Sequence, residues 1–225
     1  MDYDIVSFDL DGTLVDTAAE IAQAANGALG AHGLAPRPLA QITQLIGGGS
    51  RQLMLKLLAR LYLETPALAD TARADAVLDS FEQHLDATLG SASAPYAGAH
   101  EALARLKGAG VRLACVTNKE LRHARRVLQA ARLDSAFGLV IAGDSLPQKK
   151  PHASVLRHVV AAFGGDTRRA AHVGDSRIDV EAARNAGVAA WAVPYGYNAG
   201  EPIAEAQPQR IFPRLIDVAN YVLNS

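Results

Sequence analysis

The sequence predicts an α/β fold, in which a parallel sheet carries helices on both faces and an all-helical domain is inserted near the start of the chain. Two observations lead to this prediction. Beyond residue 93, short apolar strands alternate strictly with helical patterns, which is typical of a parallel sheet covered on both faces. Between residues 16 and 92, apolar residues recur at helical spacing and no convincing strand pattern interrupts them.

Length and composition are those of an ordinary globular protein. The 225 residues allow one sizeable core with a small inserted domain, and 20% of them are charged. A formal net charge of -1 offers no electrostatic footprint for nucleic acid or an anionic membrane, so we expect neither as a partner. The start of the chain lacks the pattern of a secretory signal, and no apolar run could span a bilayer, so we expect a cytoplasmic location.

The first strand is predicted at Ile5–Phe8, and two carboxylates, Asp9 and Asp11, follow it directly. Because strand residues alternate sides, the two carboxylates can project the same way, and Gly12 allows the sharp turn that comes next. Carboxylates that share one crevice repel each other, so a cation must compensate them. Clustered oxygen ligands favour Mg²⁺, which is therefore the expected cofactor.

Helical signals begin with Thr17 and Glu20, whose spacing predicts a capping box at the start of a first helix. Helical spacing then recurs over two longer stretches, which predicts helices at Arg51–Leu63 and Ala67–Leu89. A stretch of small residues and proline at 91–98 has the composition of a linker. The expected boundaries are residues 1–15 and 93–225 for the core and residues 16–92 for the helical insert.

Strands and helices alternate through the rest of the core. The predicted helices are His100–Ala109, Leu121–Ala131, Ala153–Phe163, Asp179–Ala186 and Leu215–Leu223. The predicted strands are Arg112–Thr117, Leu139–Ala142, Ala170–Val173 and Ala189–Val193. Functional groups in such sheets gather at the carboxyl ends of the strands. Polar clusters stand at three of these ends: Asp9 with Asp11, Thr117 with Asn118, and Gly174–Ser176.

Four short motifs occur in order along the chain. They are Asp9-x-Asp11, Thr117-Asn118, Lys150-Pro151 and Gly174-Asp175-x-x-x-Asp179. Together they resemble the signature of the haloacid dehalogenase-like superfamily of phosphohydrolases. The resemblance implies a Rossmann-like core, with the inserted helices forming a cap that excludes water and selects a small phosphorylated metabolite. The oligomeric state stays open between a monomer and a homodimer.

The resemblance also implies chemical roles for the motif residues. Asp9 would attack phosphorus as the nucleophile, and Asp11 would protonate the leaving group and then deprotonate the attacking water. Thr117, with Asn118 and nearby backbone amides, would hold the phosphoryl oxygens. Lys150 would neutralise the charge on them as the transition state forms.

Metal binding is implied in the same way. The carboxylates of Asp9 and Asp175 and the backbone carbonyl of Asp11 would ligate Mg²⁺, which keeps carboxylate and phosphate from repelling each other. Asp179 would orient Lys150 or a metal-bound water.

The acid at position 11 favours a phosphatase within this superfamily. A dehalogenase needs no such acid because halide leaves without a proton, and an acid here would hasten hydrolysis of the aspartyl-phosphate that transporting ATPases preserve. Three segments further resemble bacterial phosphoglycolate phosphatases: Asp9–Thr17, Val173–Arg177 and Tyr195–Gly200. The expected reaction is therefore hydrolysis of 2-phosphoglycolate. A sugar or amino-sugar phosphatase, a beta-phosphoglucomutase-like phosphomutase and a non-catalytic phosphometabolite-binding regulator remain alternatives.

The carboxylate of such a substrate calls for a cation or free amides in the cap. The segment Ile46–Arg51 leads from three glycines into a helix, whose N-terminus presents unpaired N–H groups to an anion. Gly48 and Arg51 are therefore expected to bind the substrate. The alternative is a flexible glycine loop followed by a solvated arginine.

Overall fold

The computed structural model describes residues 1–225, apart from the side chain of Asp70. The strands are β1 (Ile5–Phe8), β2 (Val15–Asp16), β3 (Ala94–Pro95), β4 (Arg112–Val116), β5 (Leu139–Ile141), β6 (Ala170–Gly174), β7 (Ala189–Ala192) and β8 (Arg210–Ile211). A six-stranded parallel sheet has the order β5-β4-β1-β6-β7-β8. Because β1 lies between β4 and β6, the residues that follow these three strands meet at one edge of the sheet.

The helical insert lies between β2 and β3. Its helices are α1 (Ala18–Ala31), α2 (Leu39–Thr43), α3 (Ser50–Glu64), α4 (Leu68–Thr71) and α5 (Ala74–Thr88). The buried face of α1 consists largely of alanines such as Ala24 and Ala28, which let α5 approach closely with Phe81 and Leu85.

The single helix predicted over Ala67–Leu89 is wrong, because the chain breaks between α4 and α5. Ala72 at the break is extended and 1% exposed, and its carbonyl accepts a hydrogen bond from the Tyr62 hydroxyl. Helical spacing of apolar residues continues across the break, so the interruption depends on a contact with α3 that local spacing does not encode.

The predicted capping box at the start of α1 is also wrong. The Thr17 hydroxyl donates instead to Asp11 Oδ1 at 2.6 Å, and the Glu20 carboxylate accepts from the backbone N–H of Gly90 at 3.1 Å. The Tyr197 hydroxyl takes over the capping role, accepting from the N–H groups of Thr17 at 2.9 Å and Ala18 at 3.1 Å. A distant tyrosine thus caps the helix that leads into the insert.

The core helices are α6 (Ala99–Gly108), α7 (Leu121–Ala130), α8 (Ala153–Ala162), α9 (Arg177–Ala186) and α10 (Leu215–Asn224). They cover both faces of the sheet over two apolar clusters, which confirms the predicted α/β class. The two-residue strands β2, β3 and β8 were not predicted because so short a strand has no periodic pattern. None of the helices in the described chain is both long and apolar enough to cross a membrane.

Candidate active site

Three side chains are brought together by the ends of neighbouring strands. The backbone N–H of Asp9 continues the ladder beyond β1 by donating to Val173 O at 2.9 Å. The N–H of Thr117 does the same beyond β4, donating to Ile141 O at 2.9 Å. Asp175 follows β6 directly. All three residues are buried, so the sheet fixes both their position and their low-dielectric surroundings.

Lys150 enters this group from the segment that precedes α8. Its ammonium lies 2.8 Å from Asp9 Oδ1 and donates to Asp179 Oδ1 and to Val116 O, each at 2.7 Å. Burial disfavours the charge, but Asp179 and Asp9 outweigh it and raise the pKa of Lys150. Lys150 is therefore a fixed positive charge directly beside Asp9.

Asp179 anchors this lysine from the first turn of α9. It forms a capping box with Ser176, accepting from the Ser176 hydroxyl at 2.6 Å, and it lies 3.2 Å from His172 Nε2. Burial acts to raise the pKa of Asp179, but Lys150 and His172 lower it well below its ordinary range. Asp179 contacts Lys150 directly, and its expected role in orienting Lys150 or a metal-bound water stays a prediction.

The carboxylates of Asp9, Asp175 and Asp179 form a candidate metal centre. Each offers an oxygen, and these atoms lie within 4.8 Å of one another. Burial, with repulsion from Asp179, raises the pKa of Asp9 to about 7 and that of Asp175 to about 8. Three carboxylates face one ammonium, that of Lys150, which is shared between Asp9 and Asp179. The surplus negative charge and the clustered oxygen atoms suit a divalent cation with oxygen ligands.

Asp175 is held rigidly by residues that the sequence analysis had given no role. The Thr13 hydroxyl donates to its Oδ1 at 2.9 Å, and the backbone N–H of Tyr197 donates to its Oδ2 at 2.7 Å. A Cβ on either Gly12 or Gly196 would run into this carboxylate, which explains why glycine occupies both positions. The Tyr195–Gly200 segment thus supports the metal centre directly.

Asp11 contacts a lysine that the sequence analysis missed. Lys119 Nζ lies 3.0 Å from Asp11 Oδ2 and 3.1 Å from Oδ1, and Lys119 is 6% exposed. The Asp11 carboxylate lies outside the Asp9–Asp175–Asp179 cluster, so its expected metal contact through the backbone carbonyl stays a prediction. The available signal was position, because Lys119 directly follows Thr117-Asn118 at the end of β4.

A cleft separates this sheet edge from the helical insert. Its floor includes Asp9, Asp11 and Thr117. The roof combines apolar side chains with the glycine loop and the first residue of α3: Ile21, Ile46, Leu53 and Leu85 with Gly47, Gly49 and Ser50.

Hydrogen bonds hold the insert against the core beside the cleft. Asn118 Nδ2 donates to Gly47 O at 3.0 Å, and Lys149 Nζ donates to Gly48 O at 2.6 Å. Asn118 Nδ2 also donates to Lys150 O at 3.0 Å. Asn118 therefore joins the Lys150 segment to the glycine loop of the insert.

The structure places the expected cap residues beside the cleft and not within it. Gly47 and Gly49 line the cleft, whereas Gly48 lines two neighbouring cavities. Arg51 is exposed in the first turn of α3 and is not among the lining residues. Its expected contact with substrate therefore remains a prediction of the sequence alone.

Comparisons with known proteins agree with this architecture. A family model described as haloacid dehalogenase-like hydrolase matches residues 3–187. A phosphoglycolate phosphatase from Nitrosospira multiformis is 37% identical over 98% of this chain and 96% of its own. Phosphoglycolate phosphatase 1 from Pseudomonas aeruginosa is 36% identical over 95% of this chain and 78% of its own. The crystal structure of a predicted phosphoglycolate phosphatase from Haemophilus somnus matches with a TM-score of 0.92 and 30% identity, covering 98% of both chains.

Proposed function

The chain belongs to the haloacid dehalogenase-like hydrolase family and is a phosphoric monoester hydrolase, and from this premise we propose that it converts 2-phosphoglycolate to glycolate and phosphate. The observation that carries the proposal is the pairing of Asp9 and Asp11 in one cleft, with Lys150 beside the first and Lys119 beside the second. The names of the relatives supply the choice of substrate. The cap and core boundaries predicted from the sequence are part of this proposal.

Asp9 is proposed as the nucleophile. Its carboxylate forms a bond to phosphorus while the ester oxygen leaves, giving an aspartyl-phosphate and a free alcohol. Lys150, fixed at 2.8 Å from Asp9 Oδ1, balances the negative charge that collects around the phosphoryl group in this step. The buried Thr117 hydroxyl is positioned to donate to a phosphoryl oxygen.

Asp11 is proposed as the acid and then the base. It gives a proton to the departing ester oxygen, and it then takes a proton from the water that attacks the aspartyl-phosphate. That attack releases inorganic phosphate and restores the Asp9 carboxylate. The Thr17 hydroxyl, 2.6 Å from Asp11 Oδ1, orients the carboxylate for both transfers.

Mg²⁺ would be held by the carboxylates of Asp9 and Asp175 and by the backbone carbonyl of Asp11. Asp179 lies beside them, but its Oδ1 accepts from Lys150 and its Oδ2 from Ser176. When bound, Mg²⁺ supplies positive charge that lets a carboxylate and a phosphate approach each other. Thr13 and the Tyr197 amide keep Asp175 oriented toward the centre.

A phosphate-release screen with Mg²⁺ tests the proposal by comparing kcat/KM for 2-phosphoglycolate, sugar phosphates, amino-sugar phosphates and an aryl phosphate. We expect 2-phosphoglycolate to be preferred by about 100-fold, which corresponds to about 2.7 kcal/mol of differential transition-state binding. A sugar phosphate in first place would keep the mechanism and overturn the substrate. Labelled phosphate that returns to a sugar would identify a phosphomutase.

The variant Asp9→Asn tests the nucleophile. Its amide cannot form the acyl phosphate, so phosphate release should fall to background while circular dichroism and the melting temperature stay near those of the wild type. Substantial turnover by a well-folded Asp9→Asn protein would exclude Asp9 from this role.

A further inference from the structure

Lys119 is a buried cation in the cleft to which the proposed mechanism gives no task. It follows the Thr117-Asn118 pair at the end of β4, and its ammonium contacts both carboxylate oxygens of Asp11. Among the described residues that line the cleft, it is the one lysine or arginine. Burying a lysine is costly, and Asp11 is the one carboxylate of the described chain that Lys119 contacts. A second anionic partner would therefore stabilise its charge further.

The surroundings of Lys119 determine where a second negative charge on the substrate could be tolerated. The floor of the cleft carries the carboxylates of Asp9 and Asp11, which repel an anion. The apolar side chains of the roof, such as Leu53 and Leu85, offer an anion no hydrogen bonds, and the Ser50 hydroxyl beside them donates to Glu82 and Glu120. His123 also lines the cleft, but both of its ring nitrogens face carboxylates, Nε2 at 2.8 Å from Asp86 Oδ1 and Nδ1 at 3.6 Å from Glu120 Oε2. Lys119 is therefore the cation available to a substrate carboxylate.

The spacing of Asp11 and Lys119 matches one class of phosphate ester. If Asp11 protonates the leaving oxygen, that oxygen lies against the Asp11 carboxylate, and Lys119 Nζ is only 3.0 Å from Asp11 Oδ2. In the phosphate ester of a 2-hydroxy acid, a single carbon separates the ester oxygen from the carboxylate. The ester oxygen can then meet Asp11 while the carboxylate meets Lys119.

We propose that Lys119 binds the carboxylate of the substrate and makes the enzyme selective for phosphate esters of 2-hydroxy acids. The inference rests on the proposed function, because it takes Asp11 as the group that protonates the leaving oxygen. It assigns to Lys119 the carboxylate contact that the sequence analysis expected from Arg51, which is exposed and outside the cleft lining. A charge-assisted hydrogen bond in a buried site gives such a contact substantial energy.

The test compares kcat/KM for three substrates: 2-phosphoglycolate, the phosphate ester of 3-hydroxypropionate, and ethyl phosphate. Ethyl phosphate has no carboxylate, and the 3-hydroxypropionate ester places its carboxylate one carbon further away. The variants are Lys119→Met, Lys119→Arg and Arg51→Ala. Lys149→Met is the matched control, because Lys149 contacts the insert loop near the cleft but does not line it.

Wild-type enzyme should prefer 2-phosphoglycolate over both other substrates, and Lys119→Met should lower its preference over ethyl phosphate by about 10- to 100-fold. Lys119→Arg, which keeps the charge, should retain part of the preference. Arg51→Ala and Lys149→Met should leave the ratio of the two substrates unchanged, whatever they do to absolute rates. Circular dichroism and melting curves establish that each variant is folded.

Two contrary results can be told apart. If Lys119→Met slows 2-phosphoglycolate and ethyl phosphate by the same factor, Lys119 acts only through Asp11, and the inference fails while the proposed function stands. If the wild-type enzyme does not distinguish 2-phosphoglycolate from ethyl phosphate, the proposed substrate fails, and the selectivity assigned to Lys119 fails with it. A loss of preference caused by Arg51→Ala and not by Lys119→Met would move the carboxylate contact to Arg51.

Discussion

Replacing Asp179 with asparagine tests whether Asp179 holds Lys150 in place beside Asp9. Asp179 is 1% exposed, and its carboxylate accepts from Lys150 at 2.7 Å and from the Ser176 hydroxyl at 2.6 Å. Asparagine has nearly the same size, but it carries no charge, and its amide nitrogen cannot accept from the backbone N–H of Ser176. Among the described residues, Asp9 would then be the remaining carboxylate partner of Lys150.

The size of the effect follows from these contacts. Removing one partner of a buried ion pair costs about 3–5 kcal/mol, because the remaining charge is left without compensation. Two features place Asp179→Asn at the lower end, about 3 kcal/mol. The asparagine oxygen can still accept from Lys150, and loss of the charge relieves the repulsion that Asp179 exerts on Asp9 and Asp175.

Urea unfolding in EDTA measures this change directly, with Asp166→Asn as the matched control. Asp166 likewise forms an ion pair, accepting from Arg168 at 2.6 Å, but this pair is exposed to solvent. Replacing Asp166 should therefore have a much smaller effect on stability. We expect the free energy of unfolding to fall by about 3 kcal/mol for Asp179→Asn at an unchanged m-value. A loss below about 1 kcal/mol, or one equal to that of the control, would refute the view that Asp179 anchors Lys150.

Two further predictions concern the metal centre and the start of α1. In metal-free protein, Asp9 and Asp175 have higher pKa values in the folded state than in the unfolded chain, so the folded state holds their protons to a higher pH. The stability of the folded state should therefore fall as pH rises from about 4 to about 8. Since Mg²⁺ competes with those protons, the increase in melting temperature that Mg²⁺ gives should grow over the same range, and an increase independent of pH would contradict the assigned centre. Tyr197→Phe removes the hydroxyl that caps α1 but keeps the backbone N–H of residue 197, which donates to Asp175. The free energy of unfolding should therefore drop by about 1 kcal/mol, and the affinity for Mg²⁺ should not change. Weaker Mg²⁺ binding by a variant of unchanged stability would disprove that division of roles.

The sequence was most informative where its signals are local. Alternating strand and helix patterns predicted the parallel sheet, and most core elements lie within one or two residues of their expected limits. The strand ends then located Asp9, Thr117 and Asp175 at one edge, because parallel strands present their carboxyl ends together. The same reasoning failed at Ala72, where helical spacing continues through a break that depends on contact with another helix.

The fold class and the choice of the carboxylates with Lys150 as candidate residues came from the sequence, since both follow from short-range spacing and from motifs of a few residues. Only the tertiary structure paired Lys119 with Asp11, 108 positions away, and brought Tyr197 to the start of α1, 180 positions away. Periodicity records which face of an element is buried, but it does not record which distant side chain meets it there. The partner is decided by the order of strands in the sheet and by how the insert packs on its edge.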